Sequence, residues 1–213
     1  LIDRNGAPRG EKHFLFLNPP VVGRDGLREP VVKASARVAG KLLKNDIQTI
    51  VFARSRNNVE VLTTYLKEQV GQGRAHRVMG YRGGYRPLER RQIEAGLREG
   101  KILGVVSTNA LELGIDIGQL EACVMTGYPG TVASAWQQAG RAGRRASTSL
   151  TVLVGSASPL DQYIMEHPEF FFERAPEQAL INPDNLLILV SHLKCAAFEL
   201  PFVEGARFGV ETT

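Results

Sequence analysis

Val105-Val106-Ser107-Thr108-Asn109-Ala110-Leu111-Glu112-Leu113-Gly114-Ile115-Asp116-Ile117 continues the apolar run that begins at Ile102, and that run stops abruptly on Ser-Thr-Asn. The order reads as a buried parallel strand feeding a helix cap. The polar end of such a strand lies at the C-terminal edge of a sheet, where open α/β folds hold their ligands. Thr108, small and close to a helix N-terminus, suits a nucleic-acid phosphate. Gly114 followed by Asp116 offers a carboxylate to a ribose hydroxyl; a capped helix with a buried or solvated Asp is the plainer reading of Asp116 alone.

The same alternation extends on both sides. Residues 14–17, 49–53, 77–79, 103–107, 122–126 and 150–154 read as short strands, the last closing the sheet. Residues 31–43, a stretch capped by Ser55 and running to about Gln69, residues 87–98 opening on proline, and residues 132–140 read as helices, with residues 19–30 a proline-bounded loop. This predicts an α/β fold, a mostly parallel sheet with helices on both faces. Past Gly155 the pattern turns helical, over residues 160–166 and 168–172 and then in a helix opened by Asn182-Pro183. Residues 186–198 are apolar nearly all round, which requires burial. The expected organisation is a body over 1–155 and a C-terminal helical extension over 156–213, with residues 205–213 loose.

Downstream of the opening stretch, Gln137-Gln138-Ala139-Gly140-Arg141-Ala142-Gly143-Arg144-Arg145 sets Arg141 and Arg144 three positions apart, each after a glycine. Guanidinium groups at that spacing share a helix face. The glycines keep side-chain bulk away, so that a phosphate can come close. Arginine's planar, permanent charge matches the spread negative charge of a transferring γ-phosphoryl group. A solvated basic helix end is the alternative.

Together the two stretches resemble motifs V and VI of superfamily-two helicases. Gln48-Thr49-Ile50-Val51-Phe52-Ala53-Arg54-Ser55-Arg56 resembles motif IV, and Tyr81-Arg82-Gly83-Gly84-Tyr85-Arg86-Pro87-Leu88-Glu89-Arg90-Arg91 the basic loop and helix between motifs IV and V. All four belong to the second of the two RecA-like domains in such motors. Where DEAD-box proteins open motif VI with His-Arg, this chain has Gln137-Gln138, which favours DNA-type relatives. A more specific resemblance, to bacterial mitomycin-repair-type helicases and their fungal RecQ-like relatives, spans residues 14–202. It rests on Gly80-Tyr81-Arg82-Gly83-Gly84-Tyr85, on residues 133–145, and on Pro159-Leu160-Asp161-Gln162-Tyr163 through Phe198-Glu199.

The resemblance implies a RecA-like fold, ATP with Mg2+ as cofactor, and 3′-to-5′ movement on single-stranded DNA in genome maintenance. It implies that Arg141 and Arg144 contact the γ-phosphate, that Gln137 links the nucleotide to motor closure, and that Gly114 and Asp116 border the nucleotide. Arg54, Ser55, Arg82, Gly83 and Thr108 would line the strand track. A translocase or remodeller that moves without separating strands, and a non-motor nucleic-acid-binding module, are the rival readings.

No G-x-x-x-x-G-K-[ST] loop occurs, since Gly40-Lys41 is followed by Leu42, and no acidic quartet follows a strand-like run. A first RecA-like domain holding ATP and Mg2+, and downstream C-terminal domains, are therefore the expected partners. A chain opening on Leu1 reads as an excised piece, inactive as an ATPase alone.

At 213 residues, 43% hydrophobic and 23% charged, the chain fits one globular core and a short appendage. No apolar run is long enough to span a membrane and residues 1–10 hold no signal-peptide pattern, so a cytoplasmic protein without membrane partners is expected. Cys123 and Cys195 read as buried core thiols without metal spacing. The net +4 is unevenly spread: residues 1–155 hold 23 Lys and Arg against 13 Asp and Glu, and residues 156–213 hold 3 against 9. Residues 74–101 are densest, with 8 Lys and Arg against 3 acids and Tyr81 and Tyr85 between them, a composition that attracts backbone phosphates and stacks bases. Arg90, Arg91 and Arg98 read as a solvated helix face, and Arg82 as the nucleic-acid contact.

Overall fold

The computed structural model describes residues 10–22, 27–113, 115–118, 120–143, 148–173, 182 and 185–205. Six strands are present among them: β1 (Lys12–Leu17), β2 (Thr49–Phe52), β3 (Val78–Tyr81), β4 (Gly104–Ser107), β5 (Ala122–Thr126) and β6 (Ser149–Val154). They form one sheet in the order β1-β6-β5-β2-β4-β3, and every pairing is parallel. All residues of β2, β4 and β5 are buried, as strands covered on both faces must be. That is why they read as unbroken apolar runs rather than alternating ones. The expectation that residues 150–154 close the sheet is corrected, because β1 pairs outside β6 and takes the edge.

Helices α1 (Val31–Lys44) and α2 (Arg56–Val70) cover one face, where Ala34, Ala39, Leu43, Val59, Leu62 and Leu66 meet Val51, Val106, Val124 and Val152. The other face carries α4 (Pro87–Arg98) and α5 (Val132–Ala139), whose Ile93, Leu97, Val132 and Ala135 meet Ile50, Phe52, Val105, Cys123 and Met125. A four-residue helix, α3 (Gln72–Ala75), links α2 to β3. Side chains from successive residues of each strand thus divide between the two clusters, following the two-residue period of a strand.

Two short helices follow the sheet, α6 (Pro159–Glu166) and α7 (Pro168–Glu173). Their Ile164 and Phe171 are buried in the same cluster as α5, and Phe171 stacks on Trp136 with ring centroids 5.1 Å apart. The compact body accordingly runs over residues 1–176, with a second unit over 177–213. In the second unit, α8 (Leu186–Glu199) is capped by Asn185, whose side chain accepts hydrogen bonds from Leu187 and Ile188 N–H. This corrects Asn182-Pro183 as the helix opening; Pro183, like residues 206–213, lies outside the described residues. Asn185, immediately before Leu186, supplies the cap, three residues after Asn182. None of the residues of α8 is buried, and Cys195 is exposed rather than a core thiol, whereas Cys123 is buried as expected.

Candidate nucleic-acid interface

The parallel registers Phe52↔Ser107 and Phe52↔Met125 bring the C-terminal ends of β2, β4 and β5 side by side. Beyond these ends the chain turns polar, and a cavity of about 260 Å³ opens between Arg54, Thr108, Asn109, Glu112, Thr126, Gly127, Ser134 and Gln138. Thr108 caps the single 3-10 turn Asn109–Leu111, its hydroxyl accepting from Ala110 N–H at 3.4 Å. Ser55 caps α2 as expected, accepting from Asn58 N–H at 3.2 Å. The Arg54 side chain is half exposed at the cavity wall. The hydroxyls of Ser107 and Thr126 are buried without a hydrogen-bond partner among the described residues, and an unpaired buried hydroxyl is costly unless a ligand or water meets it.

One wall of this cavity is a buried polar network between the two sequence motifs. The Glu112 carboxylate accepts from Ser134 Oγ at 2.8 Å and from Gln138 Nε2 at 2.9 Å, both on α5. The Glu112 carbonyl accepts from Arg141 Nε at 3.0 Å and Nη2 at 2.6 Å, and the Ile115 carbonyl from Arg141 Nη1 at 2.8 Å. Arg141 is buried, so these bonds are made away from bulk water, where they are worth most. Arg98 adds a bond from outside, donating from Nη1 to the Asp116 carbonyl at 2.7 Å. It is therefore more than the solvated helix residue expected. Asp116 itself is exposed, and its Oδ1 accepts from Gly118 N–H.

The C-terminal end of α5 is held from below by Lys12 at the start of β1. Lys12 Nζ donates to the carbonyls of Ala139 at 2.6 Å and Ala142 at 3.0 Å, a cation at the C-terminal end of α5. Partial burial pulls its pKa below the ordinary lysine value, opposed by the nearby Cys123. Cys123, fully buried, is pushed up to about 12 by desolvation. Gly143 has φ +79°, and a Cβ there would collide with the Ser149 side chain. That glycine is set by packing on β6, whatever room it leaves for a phosphate.

Of the expected site residues, Arg54 and Thr108 meet at the cavity; Glu112 and Gln138, which line it with them, were not singled out in the sequence. Gln137 is exposed on α5, one position from the inward-facing Gln138. Gly114 and Arg144 lie outside the described residues. Arg82 and Gly83 sit apart, on the turn after β3. Arg82 Nε donates to Glu60 Oε1 at 2.8 Å, and its guanidinium lies 4.9 Å from the centroid of the Tyr85 ring. The Glu60 bond raises the Arg82 pKa, and burial followed by Glu60 raises that of Tyr85. Beneath the turn, Tyr81 donates to Glu94 Oε1 at 2.7 Å, and burial with this bond pushes it up to about 12.

Residues 34–146 match the model of the helicase conserved C-terminal domain, a stretch that contains both motifs and the whole cavity wall. The chain belongs to the helicase conserved C-terminal domain family. It is 60% identical over 211 residues to the uncharacterized ATP-dependent helicase YprA of Bacillus subtilis, covering 98% of this chain and 28% of that protein. To the ATP-dependent helicase HRQ1 of Saccharomyces cerevisiae it is 41% identical, covering 94% of this chain and 20% of HRQ1. The crystal structure of the DUF1998 helicase MrfA bound to DNA and AMPPNP superposes with a TM-score of 0.92 at 59% identity, over 100% of this chain and 30% of that one. The chain therefore spans less than a third of the length of these relatives. It is the second RecA-like motor domain of a superfamily-two helicase, of the type resembling MrfA and HRQ1.

Proposed function

We propose that this domain serves as the second half of an ATP-dependent 3′-to-5′ DNA helicase acting in DNA repair in the cytoplasm. In this reading residues 1–155 carry the motor contacts and residues 156–213 lead towards downstream domains. The observation that supports it most is the convergence of Arg54, Thr108 and the buried Thr126 hydroxyl, which has no partner among the described residues, on one cavity at the C-terminal sheet edge. Arg54, Ser55 and Thr108, with Arg82 and Gly83 on the neighbouring turn, hold the phosphates of a single strand and position it without reading its bases.

The nucleotide side fits the residues present in part. Asp116 and Gln137 are exposed, and Arg141 and Arg98 fix the consecutive carbonyls of Ile115 and Asp116. Asp116 meets the ribose, with Gly114 beside the nucleotide, Gln137 links nucleotide to closure, and Arg144 meets the γ-phosphate. Arg141 braces this segment through the Glu112 and Ile115 carbonyls and completes the γ-phosphate contact of Arg144. No cluster of metal-ligating side chains occurs among the described residues, so Mg2+ belongs with a first RecA-like domain that carries the phosphate loop. ATP bound between the two domains supplies the free energy of γ-phosphoryl transfer.

Fluorescence anisotropy of labelled oligodeoxythymidylate with the purified chain tests the reading. Weak binding that falls steeply with salt, weakened by Thr108→Ala with no base preference, is the expected result. Salt-independent binding, or steady-state phosphate release by the chain alone at about 1 per second, the pace of a slow enzyme, overturns it.

A further inference from the structure

Asp161, in the first turn of α6, is among the most buried charged residues described, only 1% exposed, and lies beyond the 34–146 segment that carries the family match. A carboxylate in that position must be matched by donors or it opposes folding. Its Oδ2 accepts from the backbone N–H of Ser156 at 2.8 Å and of Tyr128 at 3.3 Å. Its Oδ1 accepts from Ser158 Oγ at 3.0 Å and lies 3.9 Å from Arg54 Nη1. Three strand ends are thereby joined through one side chain: the end of β6 through Ser156, the end of β5 through Tyr128, and the end of β2 through Arg54.

The geometry is asymmetric. Asp161 is enclosed while the Arg54 side chain is 54% exposed and stands at the cavity. An arginine carries five N–H donors in a planar fork, so a guanidinium approached on one edge by Asp161 still presents its other edge outward. Gly127 supplies an independent sign that this pair is built in. Its φ is +86°, and a Cβ there would stand 3.1 Å from Arg54 Cδ and 3.2 Å from Asp161 Oδ2. With φ in the left-handed region and contacts this close, a side chain there would be strained and would press on both members of the pair just beyond β5.

We propose that Asp161 is a positioning residue for nucleic-acid binding, a buried anion that fixes the Arg54 guanidinium at the cavity so that it meets a backbone phosphate already oriented. The inference rests on the reading of Arg54 as a strand contact. Preorganisation of this kind lowers the side-chain ordering cost of binding. It also places α6 in the strand track through a residue that never touches the strand.

Asp161→Asn is the discriminating variant. Its amide oxygen can keep the two backbone bonds of Oδ2 and its amide nitrogen can donate to Ser158, while the charge facing Arg54 is gone. Binding of labelled oligodeoxythymidylate is measured for the unmodified chain, D161N, R54A and the double variant, with thermal transitions recorded alongside. R54A is expected to weaken binding about tenfold and D161N about threefold to fivefold, within the range of coupling between contacting residues. In the R54A background D161N should change nothing further. Ser158→Ala, which removes the Oδ1 donor and the cap of α6 while leaving both backbone bonds to Oδ2, covers the case in which D161N fails to fold; its loss of binding should be smaller and equally dependent on Arg54, whatever the lost cap does to the thermal transition. A D161N or S158A effect of the same size with and without Arg54, or an unchanged affinity in both variants, overturns the proposal. If R54A binds like the unmodified chain, Arg54 is not a strand contact and the reading beneath the proposal falls with it.

Discussion

Arg141 and Arg82 are both arginines beside glycines in basic stretches, and both bind glutamate oxygens, yet the structure uses them in opposite ways. Arg141 is buried and spends its donors on the main-chain carbonyls of Glu112 and Ile115. Arg82 is bound to the half-exposed Glu60 side chain and lies against Tyr85 on a turn open to solvent. The first arrangement is a brace, because main-chain acceptors cannot move aside and no water replaces a lost donor. The second is a clamp that a phosphate can displace, because water and salt compete with it at every moment. The same guanidinium chemistry thus yields structure in one place and availability in the other, and burial decides which.

The largest effect that separates the two is expected at Arg141. Arg141→Ala leaves the buried Glu112 carbonyl and the partly buried Ile115 carbonyl without this donor, and should lower unfolding free energy by about 2–4 kcal/mol. Denaturant melts of the purified chain measure it. A midpoint unchanged from the unmodified chain would show that the carbonyls find other partners and that Arg141 is no brace.

Glu112→Gln comes next. The amide keeps the shape but loses the charge that Ser134 and Gln138 donate to, and should cost about 1–2 kcal/mol. Because Glu112 and Arg141 belong to one network, the E112Q and R141A losses should sum to more than the double variant shows. Strict additivity would mean that the side-chain and main-chain halves of the network are independent.

Much of this was legible in the sequence, for identifiable reasons. Strands β2, β4 and β5 are covered on both faces and so stand out as apolar runs, and Ser55 and Pro87 mark helix starts by chemistry that needs no tertiary contact. The cavity was half legible: Thr108 and Arg54 follow strand ends, whereas Glu112 and Gln138 read as ordinary polar residues until the fold sets them 2.9 Å apart. The brace formed by Arg141 was hidden because its acceptors are carbonyls, which every residue has. The attachment of α6 and α7 to the body was hidden too, since it depends on Phe171 meeting Trp136 and Phe14 from distant parts of the chain.

Tyr81 gives a pH-dependent difference between the floor of the clamp and its surface. Its folded-state pKa of about 12 lies above the ordinary tyrosine value of 10.0, so the stability it contributes is present below pH 10 and lost as pH rises through 12. Ultraviolet titration of the folded chain should show one tyrosine ionising near the top of this window. Tyr81→Phe should remove that late transition. If the late transition persists in Y81F, Tyr81 is not the group that carries it.

The smallest effect is expected at the clamp itself. Glu60→Gln removes the anion that Arg82 pairs with, and Tyr85 loses its partner oxygen's charge at 3.3 Å. Since the pair is solvent-exposed, the melting midpoint should not move measurably. Strand affinity, by contrast, should rise slightly, because Arg82 no longer has a carboxylate to leave before it meets a phosphate. The gain should vanish in an Arg82→Ala background and shrink as salt is raised, which an anisotropy titration at two ionic strengths reads directly. A fall in affinity for E60Q would mean that Glu60 orients Arg82 for the strand as Asp161 is proposed to orient Arg54. The contrast between a buried brace and an exposed clamp would then narrow to a difference of stability alone.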